Sequence, residues 1–171
     1  MPLSLIWLVA CTDDGAGDDG KDSDVVPDYD PAVEIGTGED LFEPVADGGT
    51  VYVVFGPQGG YHLLGSLRAQ GIVPGDTDRL DEPTNPVTTF RVFRDGAPID
   101  TGLTYQQGLD PVPGEPGIYS MIGRFLILDI TDDAELDGVE LEMEVEVTDA
   151  DGVVVTDRRR VTAEPHPLND L

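Results

Sequence analysis

The sequence has one cysteine, Cys11, one lysine, Lys21, one tryptophan and two histidines in 171 residues. A lone cysteine excludes an internal disulfide, so its position carries information. Lys21 and eight arginines stand against 35 acidic residues, giving a net charge of −26. No basic patch is available to release counterions from phosphates, so nucleic acid is excluded as a partner and anionic headgroups are disfavoured. One cysteine and two separated histidines do not make a usual zinc or copper ligand set. The nucleophile elbow, the dinucleotide fingerprint and the Walker spacing are all missing, and the carboxylates are too numerous to single out a glycosidase pair. The expectation is a non-enzyme without a cofactor, calcium being the one exception considered below. No apolar run approaches the roughly 20 residues that span a bilayer. No stretch keeps a helical period over three turns, which leaves an all-β reading.

The chain opens with an apolar run from Leu3 to Ala10 that ends in a small residue, the form of a signal-peptide core and its cleavage site. No Lys or Arg precedes that core. Its last residues, Leu8-Val9-Ala10-Cys11, resemble the bacterial lipobox. The resemblance implies a diacylglycerol thioether on Cys11, cleavage before it, and a lipoprotein held in the bacterial cell envelope by that lipid. Thr12, where an aspartate would favour inner-membrane retention, points toward the outer membrane. A buried amino-terminal strand with an unmodified cysteine is the plainer alternative. The stretch from Thr12 to Asp30 holds eight aspartates and Lys21, a net −7 that leaves −19 for the rest. With no apolar residue larger than alanine as far as Asp24, it is expected to be a disordered, self-repelling spacer. The organisation predicted is a signal peptide over 1–10, lipidated cysteine and linker over 11–30, a β-sandwich domain over 31–165 and a tail over 166–171. A domain of about 135 residues buries roughly two thirds of its unfolded surface, enough to need no staple.

Alternating β-branched and aromatic segments between Gly, Pro and Asp predict strands near Ala32–Gly36, Thr50–Phe55, Tyr61–Ile72, Val87–Arg94, Ala97–Thr104, Ile118–Ile130, Val139–Thr148 and Val153–Ala163. That many short strands suggest an antiparallel two-sheet sandwich. In the last pair Val139, Leu141, Met143, Val145 and Val147 alternate with Glu140, Glu142, Glu144, Glu146 and Thr148, so one face is apolar and the other a carboxylate ladder. Asp149-Ala150-Asp151 with Gly152 fits a bulged three-residue loop. It places Val147 opposite Val155, Glu144 opposite Arg158 and Glu142 opposite Arg160. Asp157 and Arg159 then fall on the apolar face, against the pattern. A terminal hairpin with this D-x-D-G turn resembles the last two strands of immunoglobulin-like bacterial modules, which implies a fold and no activity. A second hairpin is expected at Arg94-Asp95-Gly96-Ala97. Ile118–Ile130, apolar on both faces, reads as a central strand. Val73–Pro86 and Gln106–Gly117 read as long surface loops, where functional contacts are expected, as they are on Gly56–Gly60.

Gly56-Pro57-Gln58-Gly59-Gly60-Tyr61-His62 joins two of these strands and makes Gln58, Tyr61 and His62 the candidate binding residues. A tight turn with His62 as a hydrogen-bonding structural residue is the plainer reading. The stretch is similar to glycine-rich turns followed by an aromatic and a histidine in envelope lipoproteins of unknown activity, which implies a common architecture only. Aligned as a calcium loop, Asp149–Gly152 would put Val147 first and Arg158 twelfth, so the hairpin reading stands. Asp132, Asp133, Glu135 and Asp137 form the better hard-cation candidate, although an acidic chain acquires such clusters by composition. The leading expectation is a membrane-anchored binding or structural module of the envelope with a protein or glycan partner. The alternative is a calcium-dependent adhesion or carbohydrate-binding domain.

Overall fold

The computed structural model describes residues 28–57 and 59–169. The lipobox, Cys11, the spacer up to Pro27 and Gln58 lie outside the described residues. Eleven strands follow in order: β1 Ala32–Thr37, β2 Glu43–Pro44, β3 Gly49–Phe55, β4 Tyr61–Gln70, β5 Val87–Arg94, β6 Ala97–Pro98, β7 Thr104–Gln106, β8 Asp110–Pro111, β9 Ile118–Ile127, β10 Glu140–Thr148 and β11 Val154–Pro165. Among the described residues the only helical element is a 3-10 turn at Asp133–Glu135. The chain is all-β.

One sheet has β4 between β1 and β9, with β2 and β8 at its margins. The other has β10 between β5 and β11, with β6 and β7 beyond β5. Strand β3 joins them. It pairs with the start of β4 through Val54 and Phe55, and it runs along β11 from Val161 opposite Gly49 to Pro165 opposite Val53. That last pairing is parallel, a departure from the all-antiparallel expectation: β11 outruns its hairpin partner, and its free edge takes up β3 as the chain climbs toward the Gly56–Gly60 turn. Ile35, Leu63, Leu67, Met121 and Leu126 from one sheet meet Phe90, Val92, Leu141, Met143 and Val161 from the other in a single buried core.

The terminal hairpin has the expected register, with Val147 opposite Val155, Glu144 opposite Arg158 and Glu142 opposite Arg160. Its loop is held by Asp149, a buried carboxylate that accepts the N–H groups of Asp151 at 3.0 Å, Val153 at 2.9 Å and Val73 at 2.8 Å. Asp157 also finds its reason for facing inward. Its Oδ2 accepts the Ile35 N–H at 2.9 Å, linking β1 to β11 across the sandwich, and Arg159 pairs with it there.

Two predicted strands are corrected. Ala97–Thr104 breaks into β6 and β7 because Pro98 lacks a donor and Asp100 turns back, accepting the Val92 N–H at 2.8 Å and the Gly102 N–H at 2.7 Å. Strand β9 is not buried on both faces. Opposite Gly65 and Leu67 stand Arg124 and Met121, so Ile122 and Gly123 oppose Ser66 alone, an inserted residue that makes a β-bulge. Gly123 has φ of 67° and donates its N–H to Ser66 Oγ at 3.0 Å. The bulge flips the strand, so Met121 and Leu126 both point into the core while Phe125 and Ile127 turn outward.

The sandwich has two dissimilar ends. Where the described chain begins, Tyr29 packs on Gly71, Leu109 N–H donates to the Pro74 carbonyl, and Asp149 holds Val73. Both long loops and the terminal hairpin loop therefore gather at the end where the chain enters. At the opposite end are the Gly56–Gly60 turn, the Asp95-Gly96 turn and the 3-10 turn. Residues 166–169 lie there against β3: His166 donates to the Val53 carbonyl, and Asn169 bonds the Phe55 N–H and the Val53 carbonyl.

Candidate binding pocket at the Gly56–Gly60 turn

The turn closes on itself, with the Gly56 N–H donating to the Gly60 carbonyl at 2.8 Å and the Gly59 N–H to the Gly56 carbonyl at 3.0 Å. Gly59 has φ of 75°, a conformation that glycine adopts without steric cost. Gly56 serves a different purpose. A Cβ there would stand 3.2 Å from His62 Nδ1, so the missing side chain lets the turn lie on the imidazole.

Leu63 points into the core, and its neighbours His62 and Leu64 therefore point out, opposite Ile127 and Phe125 of β9. His62 is covered to 7% exposure, whereas Phe125 is 50% exposed and Ile127 41%. The His62 and Phe125 rings meet edge to face with centroids 4.5 Å apart, and Phe55 and Tyr61 meet likewise at 5.2 Å, both favourable arrangements. The turn, Tyr61, His62, Phe125 and Ile127 enclose an open-mouthed cavity of about 200 Å³. Phe125 is fixed from behind. Tyr105 donates its hydroxyl to the Phe125 carbonyl at 3.0 Å, and the Arg124 guanidinium lies over the Tyr105 ring at 5.6 Å. Burial pushes the Tyr105 hydroxyl pKa up, with Arg124 opposing.

Burial also pushes the His62 pKa below its ordinary value, against the opposing pull of the Glu39 carboxylate. The ring is therefore neutral at pH 7. Among the described residues no Lys or Arg lines the cavity. Its walls are apolar or aromatic, with backbone polar groups at the glycine turn.

Of the expected binding residues, Tyr61 and His62 come together at this cavity, and Gln58 lies outside the described residues. The expected calcium residues are placed differently. Asp132 caps the 3-10 turn, its Oδ1 accepting the Ala134 N–H at 2.9 Å, while Glu135 Oε1 accepts the N–H groups of Thr131 and Asp132 and the Thr131 hydroxyl. These bonds lower the Glu135 pKa, the Thr131 N–H contributing most. Asp133 turns to Asn169, and Asp137 is exposed. Among the described residues no group of three or more His, Cys, Asp or Glu side chains is arranged to hold a metal ion. Phe125 and Ile127 are the residues sequence reasoning missed, and Gly123, isolated within a strand pattern, is the signal that could have found them.

Neither a protein-family model nor a curated protein matches the chain. Among solved structures it pairs with CopC from Methylosinus trichosporium OB3b at 11% identity, covering 71% of this chain and 87% of that one, with a TM-score of 0.30. A superposition that loose carries no information about ligand or activity.

Proposed function

We propose that this chain is a lipid-anchored binding module of the bacterial cell envelope, tethered through Cys11 and engaging its partner at the His62 pocket. One observation carries the reading: the half-exposed apolar side chains of Phe125 and Ile127 border a cavity at the end of the sandwich opposite to the entering chain. Apolar side chains cost free energy to leave in water, roughly 25 cal/mol per Å² of apolar surface, and exposed ones at the rim of a concavity mark a contact site. Asp28 and Tyr29, from which the tether would lead, stand at the other end. From His62 to Gln70, whose partner Ala32 begins β1, β4 spans about 26 Å at the usual rise.

A photo-reactive side chain placed at Pro57 or at Asp151, both exposed, tests this in the full chain expressed in its envelope. Adducts are expected from Pro57, to be lost when Phe125→Ala is added. Adducts from Asp151 alone, or equal yields from both positions, would contradict a partner at the far end.

A further inference from the structure

We propose that the outer face of β4 and β9 around Phe125 and Ile127 docks a basic amphipathic polypeptide segment, one that sets apolar side chains between lysines or arginines; this rests on reading that end of the sandwich as the contact site. The sheet itself builds the floor. Leu64 and His62 of β4 stand opposite Phe125 and Ile127 of β9, and because Leu63 and Leu126 take the core, these four face away from it. The connection from β1 to β2 crosses the same face. The Ser66 hydroxyl donates to the Gly38 carbonyl at 3.2 Å and accepts the Gly123 N–H at 3.0 Å, and the Glu39 carbonyl oxygen lies 2.6 Å from where a Gly123 Cβ would stand. Glu39 therefore borders the strip, with exposed Asp40 and the 75% exposed Leu41 following it in the chain. Beyond Ile127 and the buried Leu128 comes another exposed acid, Asp129. Of the arginines on these two strands, Arg68 pairs with Glu115 at 2.7 Å, and Arg124, of opposite parity to Phe125, lies over the Tyr105 ring. The charge selects the occupant. Beyond the spacer the chain carries a net −19, which repels a second copy of itself or an anionic polymer and attracts a basic segment. The apolar side chains of that segment cover Phe125 and Ile127, and its basic groups meet the acids on either side.

The experiment follows the Phe125 ring and Ile127 methyl resonances by NMR in the full chain carrying Cys11→Ser. Three short synthetic peptides are titrated: one alternating lysine with leucine, one alternating glutamate with leucine, and one alternating lysine with serine. The lysine–leucine peptide is expected to shift both resonances saturably, to bind about tenfold more tightly than either of the others, and to weaken as salt is added. Glu39→Gln combined with Asp129→Asn is expected to weaken it about fivefold. Phe125→Ser combined with Ile127→Ser, both at half-exposed positions, is expected to weaken it about tenfold with the urea-unfolding midpoint retained. Equal binding of the glutamate–leucine peptide would overturn the basic assignment, and equal binding of the lysine–serine peptide would overturn the apolar strip as the contact. Shifts confined to other parts of the protein, or none, would overturn both. Phe125 and Ile127 resonances that move with protein concentration alone would make a second copy the occupant and overturn the proposal. The cross-linking yields at Pro57 judge the contact-site reading separately, since they do not depend on the charge of the partner.

Discussion

His62 is an imidazole that the fold keeps neutral. Burial under the Gly56–Gly60 turn lowers its pKa, and Glu39 does not fully offset that. Between the folded value and the ordinary 6.5, the unfolded chain binds a proton that the folded chain refuses. The stability associated with a neutral His62 is therefore complete above pH 6.5 and is lost progressively as the pH falls from there through the lower folded value. Comparing the native chain with a variant that lacks the imidazole isolates the histidine. Urea unfolding of the native chain and of His62→Phe at pH 7.5 and pH 6 is expected to show the larger loss in the native chain. Equal losses would mean that the folded chain takes up the His62 proton as readily as the unfolded one. Its partner across the turn, Gly56, shows why the residue before Pro57 has no side chain: a methyl group would press on the ring.

At the scale of elements, what the sequence revealed and what it concealed have a common cause. The β10–β11 hairpin was legible to the residue because its signals are local: a period of two, a D-x-D-G loop and opposed charges such as Glu144 and Arg158. The inward Asp157 was not, since its partner is the Ile35 N–H from a strand far away in the chain. Asp100 was not legible either, although its partner is near: it ends one strand by bonding the backbone of β5 eight residues back. Strand β9 misled because apolar residues at both parities are read as two buried faces, when a one-residue bulge had exchanged the faces halfway. His62 and Tyr61 were visible as an unusual string beside glycines, but the wall opposite them depends on that bulge. Gly123→Ala tests its role. Its φ of 67° is unfavourable for alanine, and the new Cβ would lie 2.6 Å from the Glu39 carbonyl oxygen. A loss of about 2 kcal/mol in urea-unfolding free energy is expected. An unchanged stability would show that β9 can keep its pairing without the glycine.

For the whole molecule, the organising feature is its polarity. The chain enters where Asp28 and Tyr29 meet Gly71 and Gly117, and both long loops crowd that end. The sequence pattern offered those loops and Gly56–Gly60 alike as places for contacts; Asp149 and the Pro74 carbonyl fasten the two loops beside the entering chain. The exposed Phe55 and Phe125 rings stand at the other end beside the Gly56–Gly60 turn. The tether proposed above would suit this arrangement, because its acidic residues and the strongly negative domain are both repelled by anionic headgroups. The direct measurement is energy transfer from a single fluorophore, on Asp151→Cys or on Pro57→Cys, to headgroup-labelled lipid, with the lipidated full chain reconstituted in vesicles. Transfer is expected from both sites and to be distinctly stronger from position 151, given a sandwich about 26 Å long between its ends. Stronger transfer from position 57, or none from either, would contradict a domain anchored at Cys11 with its pocket turned away from the membrane.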